Sequence, residues 1–341
     1  MTQKPFLTAL SQKTATPPIW LMRQAGRYLP EYQKVRAQVG GFLDLCYNPV
    51  LAEEVTLQPI RRFGFDASIL FADILLIPDA LGQKLWFETG EGPRLEPVRS
   101  AAGLSLAGVD AHLAPVIETV SRLSHSLPKQ TTLIGFAGAP WTVASYMVAG
   151  RGTPDQAPAR DLAQNRPDDF QSIIDILVEA TIDYLAAQVA AGAEVLQLFE
   201  SWAGALSGDD FETYCVKPVA AIIAGLRARD IAVPIIGFPR AAQSSMADYV
   251  AKTKCQILGL DTHADRRALD AELDDEIVLQ GNLDPLVLVE GGAKMHAAID
   301  AIMGDFKTRK FIFNLGHGIV PQTPPAHVEE LIARVRGDRS I

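Results

Sequence analysis

A chain of 341 residues, 48% hydrophobic and 21% charged, has the composition of an ordinary globular protein and the length of one large domain or two small ones. Its formal charge of −9 argues against nucleic acid as the main partner, and no uninterrupted apolar run approaches the roughly 18 residues of a membrane span. The three cysteines, Cys46, Cys215 and Cys255, are far apart and lack zinc spacing, which points to a reducing, cytoplasmic setting. Met1 to Thr16 has no sustained apolar core, so no signal peptide is expected there.

Short apolar, β-branched runs alternate with longer amphipathic stretches, the pattern of βα units on a parallel sheet. Eight runs read as strands: Ile19 to Met22, Ala67 to Phe71, Thr132 to Phe136, Glu194 to Phe199, Val233 to Phe238, Gln256 to Leu260, Ile277 to Gln280 and Phe311 to Asn314. Between them, Pro49 to Phe63, Ala107 to Ser126, Asp168 to Ala191, Asp209 to Arg229, Ala241 to Lys254 and Lys294 to Met303 read as helices. Eight strands close a barrel. The expectation is one α/β domain over residues 1–341, a (β/α)8 TIM barrel of about 250 residues with about 90 in added loops and an active-site cleft at the C-terminal strand ends. The surplus falls at Gly82 to Pro97, after the second strand, and Gly150 to Asp168, after the third. A doubly wound open sheet is the alternative, but no Gly-x-Gly-x-x-Gly follows the first strand.

The strand exits carry the chemistry. After the first come Arg23 and Arg27, on either side of Gln24, Ala25 and Gly26. Two planar guanidinium forks on a bent support suit a ligand with several carboxylates; the plain reading is two arginines snorkelling over an apolar edge. In an acidic protein an anionic ligand needs such a local positive patch. After the second strand Asp73 sits among apolar neighbours, Leu70-Phe71-Ala72 and Ile74-Leu75-Leu76, where an unpaired charge is costly. It is either a helix cap or arginine partner, or a fixed anion able to accept hydrogen bonds from a ligand's NH groups.

After the third strand a short helix, Trp141 to Met147, presents Tyr146, as a rim aromatic or a ligand contact. Ser201, after the fourth, has no base at recognisable spacing and no nucleophile elbow, which argues against an acyl-enzyme hydrolase. Arg240, Asp261, Asn282 and Asp284 at the next exits read as structural. His317, after the eighth strand, lies between Gly316 and Gly318, a placement that favours ligand contact over an ordinary surface histidine. The six histidines show no metal-ligand spacing.

The words themselves carry a likeness. PIWLMRQAGRYLPEY, then FLDLCYNPVLAEEVTLQPIRRFGFDASILFADILLIPDALG, GFAGAPWTVASYM, LQLFESWAG, QGNLDP and NLGHG occur here in that order between residues 18 and 320. In this combination the chain resembles the uroporphyrinogen decarboxylase family. The resemblance implies a (β/α)8 barrel, paired as a homodimer, working without metal or organic cofactor. It implies removal of CO2 from the four acetate side chains of uroporphyrinogen III, giving coproporphyrinogen III. Carried over position by position, the family's substrate-binding residues fall on Arg23, Gln24, Ala25, Gly26, Arg27, Asp73, Tyr146, Ser201 and His317, with Arg36 as a further match, and the catalytic roles on Asp73, Arg23 and Arg27. Ala72 departs from the serine common in the family.

Two rival readings remain. A methyltransferase of the same barrel superfamily, acting on a corrinoid or thiol, would need a late zinc site of His and Cys, but His317 has no following cysteine and Cys255 stands alone. A non-catalytic tetrapyrrole-binding protein would need the arginines but not Asp73.

Overall fold

The computed structural model describes residues 4–88 and 90–337, so residues 1–3 of the N-terminal stretch and residue 89 of the Gly82–Pro97 excursion lie outside it. Seven parallel strands form one curled sheet: β1 (Ala67–Ile69), β4 (Thr132–Gly138), β5 (Val195–Glu200), β6 (Ile235–Pro239), β7 (Ile257–Gly259), β8 (Val278–Leu283) and β9 (Phe311–Leu315), hydrogen-bonded in that order. Two more, β2 (Leu85–Glu88) and β3 (Gly92–Leu95), make a separate antiparallel hairpin. Every residue of β4, β6, β8 and β9 is buried, which is why these strands read as near-continuous apolar runs. Helices return the chain between strands, and their ends follow local rules. Asn48 caps the Pro49–Phe63 helix by accepting the Leu51 N–H, and Gly64 closes it in the left-handed conformation.

The first expected strand, Ile19 to Met22, is reduced to a single parallel bridge between Ile19 and Phe313. Pro18 and Trp20 exchange backbone hydrogen bonds with Phe313 at 2.9 and 3.3 Å, while the Ile19 carbonyl accepts the Asp66 N–H at 2.9 Å. The segment thus lies between β9 and the approach to β1. Beyond Ile19 the backbone leaves the ladder. Leu21 N–H goes to Gln24 Oε1, Met22 N–H to Asn314 Oδ1, and the Leu21 carbonyl accepts Gln24 N–H. All four side chains from Ile19 to Met22 are nonetheless at most 3% exposed. Burying four such side chains contributes roughly 6–12 kcal/mol before chain entropy. That outweighs the roughly 1–3 kcal/mol of a strained backbone at Arg23, whose φ is 63°.

The two surplus stretches are more ordered than their sequence suggests. Gly82–Pro97 contains the β2–β3 hairpin, its tip turning through Gly90 and Gly92 at positive φ. Phe87 of that hairpin packs on Phe42, with ring centroids 4.7 Å apart. Gly150–Asp168 contains the Ala157–Asn165 helix and the start of the Pro167–Ala190 helix. The two stretches join where Leu95 N–H meets the Gly150 carbonyl at 2.8 Å.

Candidate active site

The loop after Ile19–Met22 is built to hold its shape. Gln24, fully buried, ties Leu21 through Oε1 and donates from Nε2 to the Ala67 carbonyl at 3.3 Å. Tyr28 Oη donates to the Gln24 carbonyl at 2.8 Å. The consequence is a rigid turn that carries Arg23 and Arg27 to the mouth of the curled sheet.

There they line a cleft of about 810 Å³, within the upper range of small-molecule sites. Of the residues singled out from sequence, Arg23, Ala25, Gly26, Arg27, Arg36, Asp73, Tyr146, Ser201 and His317 all line it. Gln24 does not: its side chain faces the sheet and holds the loop. Arg36 reaches the cleft from the Pro30–Arg36 helix instead of a strand end.

Asp73 sits in the loop between β1 and the Leu76–Ala80 helix, where its Oδ1 accepts the Leu75 N–H at 2.9 Å. The local turn and a face toward the cleft coexist in one side chain. Burial pushes its pKa above the ordinary aspartate value, and the Leu75 hydrogen bond and the Arg23 charge only partly oppose that rise. The Arg23 charge, which favours the ionised carboxylate, is therefore outweighed by burial. Arg23 is surrounded by protein although its surface faces the cleft, and burial lowers its pKa against the pull of Asp73 and Tyr146. The Tyr146 phenol is raised, first by burial and then by the Asp73 charge. His317 is lowered to about 4 by burial and by the charges of Arg23 and Arg240, so at neutral pH it is an uncharged imidazole. Arg240, read from sequence as structural, thus adds to the positive field of the site.

Two features escaped the sequence reading. The first is an aromatic wall: Phe136, Phe199 and Phe238, near the ends of β4, β5 and β6, all line the cleft. Phe199 packs edge-on against both others at 5.5 and 6.1 Å. Three phenylalanines near successive strand ends were a usable signal. Phe42 and Phe71 extend the wall, and the hairpin brings Phe87, Glu88 and Glu91 over the cleft, with Arg94 bonded to both glutamates. That placement depends on the hairpin folding back, which no local pattern announces.

The second is Glu200, the last residue of β5 and fully buried. Its Oε1 accepts the Thr142 N–H at 2.7 Å and the Thr142 hydroxyl; the same hydroxyl oxygen accepts the Trp202 N–H at 3.2 Å. Among the described residues Oε2 has no hydrogen-bond partner. Burial raises the Glu200 pKa to about 8 against those hydrogen bonds. Glu200 therefore keeps its proton at neutral pH and fastens Ser201 and Trp202 to the Pro140–Ala149 helix, which carries Tyr146.

Fold and site together define an α/β protein whose cleft combines an aromatic wall with several guanidinium groups, a lining chemically suited to a ligand that carries several carboxylates. A family model described as uroporphyrinogen decarboxylase (URO-D) matches residues 1–337. Proteins called uroporphyrinogen decarboxylase from Sphingopyxis alaskensis, Paracoccus denitrificans and Sinorhizobium fredii are 56%, 53% and 52% identical to it. Those matches cover 94%, 99% and 99% of this chain and 94%, 100% and 99% of the relatives. The chain belongs to the uroporphyrinogen decarboxylase family. Among solved structures, a methyltransferase from Methanosarcina mazei superposes with a TM-score of 0.80 at 18% identity, covering 97% of both chains. A putative vitamin-B12-independent methionine synthase from Listeria monocytogenes gives 0.58 at 12%, covering 98% of both. At such identities the likeness is one of fold alone.

Proposed function

We propose that this chain is a carboxy-lyase that converts the four acetate side chains of uroporphyrinogen III to methyls, giving coproporphyrinogen III and CO2 in porphyrin biosynthesis. The observation that carries it is a cleft lined together by Arg23, Arg27, Arg36 and an aspartate pushed up by burial, in a chain over 50% identical to decarboxylases. The methyltransferase reading rests on fold likeness at 18% identity and is not favoured.

Each turn of the reaction takes up one proton and releases one CO2. Protonation of a pyrrole ring carbon makes a cation; the C–COO⁻ bond breaks, its electron pair flows into that cation, protonation of the resulting methylene forms the methyl, and loss of the proton first added to the ring carbon restores the pyrrole. Asp73 accepts the pyrrole N–H groups. The same low-dielectric site that raises its pKa strengthens its attraction for a ring that becomes cationic, an effect of about 3–4 kcal/mol for preorganised groups. Arg23, Arg27 and Arg36 hold peripheral carboxylates bidentately. Neutral His317, Tyr146 and Ser201 orient ring and side chains without adding charge near the departing carboxylate.

The same reading includes a closed (β/α)8 barrel in one domain over residues 1–341. Ile19, paired with Phe313 through the bonds of Pro18 and Trp20 on one side and bonded to Asp66 on the other, is its eighth stave. It also includes a homodimer in the cytoplasm, a setting suited to three free, buried cysteines.

The test is anaerobic incubation with uroporphyrinogen III, followed by oxidation and chromatography of the porphyrins. A ladder from eight carboxylates to four is expected, and Asp73→Asn, folded as before, should lose 10²–10³ in turnover. Unchanged octacarboxylate that stays bound to the protein would make this a carrier; near-normal turnover by Asp73→Asn would remove the aspartate from the mechanism.

A further inference from the structure

The two glycines beside His317 serve different ends. A Cβ on Gly316 would lie 2.3 Å from the Thr262 amide nitrogen and 2.5 Å from its Cα, both backbone atoms. A Cβ on Gly318 would lie 2.4 Å from Arg23 Cδ and 2.8 Å from its Cγ and Nε. The middle of the Arg23 side chain therefore crosses directly over the Gly318 backbone. Neither glycine has a positive φ, so space, and not conformational freedom, is what each position requires.

The contact cannot relax by separating the two segments. Ile319 N–H is bonded to the Met22 carbonyl at 2.9 Å, next to both residues. Arg23 itself is fixed at φ 63° between Met22, held by Asn314, and Gln24, held by Leu21 and Ala67. With both backbones pinned, anything added at residue 318 must be met by the Arg23 side chain.

We infer that Gly318 is a positioning residue for Arg23: the bare backbone at 318 is the shelf that sets the direction of the guanidinium into the cleft. The inference rests on the reading that Arg23 holds a substrate carboxylate. Gly318→Ala adds one methyl group, has no backbone strain to overcome and displaces a side chain instead of a main chain. Displacement of a carboxylate clamp by about an ångström is enough to cost up to about a hundredfold in rate.

The experiment is a four-way comparison of the unsubstituted enzyme, Gly318→Ala, Arg23→Ala and the double variant, with kcat and KM for uroporphyrinogen III, thermal midpoints, and a crystal structure of Gly318→Ala. Gly318→Ala is expected to keep its thermal midpoint, to lose about 10- to 100-fold in kcat/KM with a rise in KM, and to show Arg23 turned away. In the Arg23→Ala background the same substitution should change kcat/KM by less than about twofold, because there is no guanidinium left to misplace. A loss that persists in full in that background, or an unmoved Arg23 in the crystal, overturns the inference. Failure of the parent reading looks different: Arg23→Ala alone would turn over normally, and the Arg23 orientation in the Gly318→Ala crystal would then decide the positioning claim.

Discussion

Glu200→Gln separates burial from catalysis and has a magnitude fixed by its site. The unfolded chain releases this proton near the ordinary glutamate value of 4.5, whereas the folded protein keeps it to about 8. Between those values the folded state binds more protons than the unfolded one, so stability falls as pH rises. The fall is about 1.4 kcal/mol per pH unit, or roughly 5 kcal/mol over the window. Glutamine keeps the acceptor at Oε1 for Thr142 and is neutral at every pH. Any fixed cost of an amide at the unpartnered Oε2 position shifts the variant equally at all pH values. The difference between variant and unsubstituted protein should therefore open in the variant's favour from pH 5 to pH 8 and level off beyond. For 341 residues, 5 kcal/mol corresponds to roughly 7 °C in thermal midpoint. Urea unfolding of both proteins at one-unit steps from pH 5 to 9 reads this directly. Parallel profiles across that range would mean that Glu200 is not a buried acid, and the account of how Ser201 is fastened to the Tyr146 helix would lose its basis.

His317 gives the opposite sign. With a folded pKa of about 4 against the ordinary 6.5, the site resists protonation, so its contribution to stability is lost as pH falls through that window. Imidazole NMR of the unliganded protein should show one histidine titrating well below pH 6, absent in His317→Asn; a value at or above 6.5 for this residue would remove the burial argument. Gly316→Ala, whose new methyl meets the Thr262 backbone, is expected to cost about 1–3 kcal/mol in urea unfolding. Stability equal to that of Gly318→Ala would show that the two glycines do not divide the work as described.

The reading of the strands from sequence worked where burial is two-sided. β4, β6, β8 and β9 are buried along their whole length because both faces are covered, and the exits of β4, β5 and β9 placed Tyr146, Ser201 and His317 close to where they stand. It misjudged Ile19–Met22, whose equally apolar side chains are buried while the backbone bonds turn to Gln24 and Asn314. Apolar sequence reports side-chain burial, and backbone pairing is a separate matter. Gln24 shows the same limit from the polar side. The family resemblance carried it over as a ligand contact, and only its bonds to Leu21 and Ala67 show it facing the sheet.

By itself the sequence determined the alternation of strands and helices, the chemistry at the strand exits and the family, because these are written in local burial patterns and in short, specific words. The tertiary structure decided what those groups become when they share one cleft. Arg23 passes over Gly318, nearly 300 positions away in the chain, burial lifts Asp73 and Glu200 while it depresses His317, and the hairpin swings Glu88 and Glu91 over the opening. Protonation states and side-chain directions depend on which atoms exclude water and which charges lie nearby, and those neighbours are assembled only by the fold.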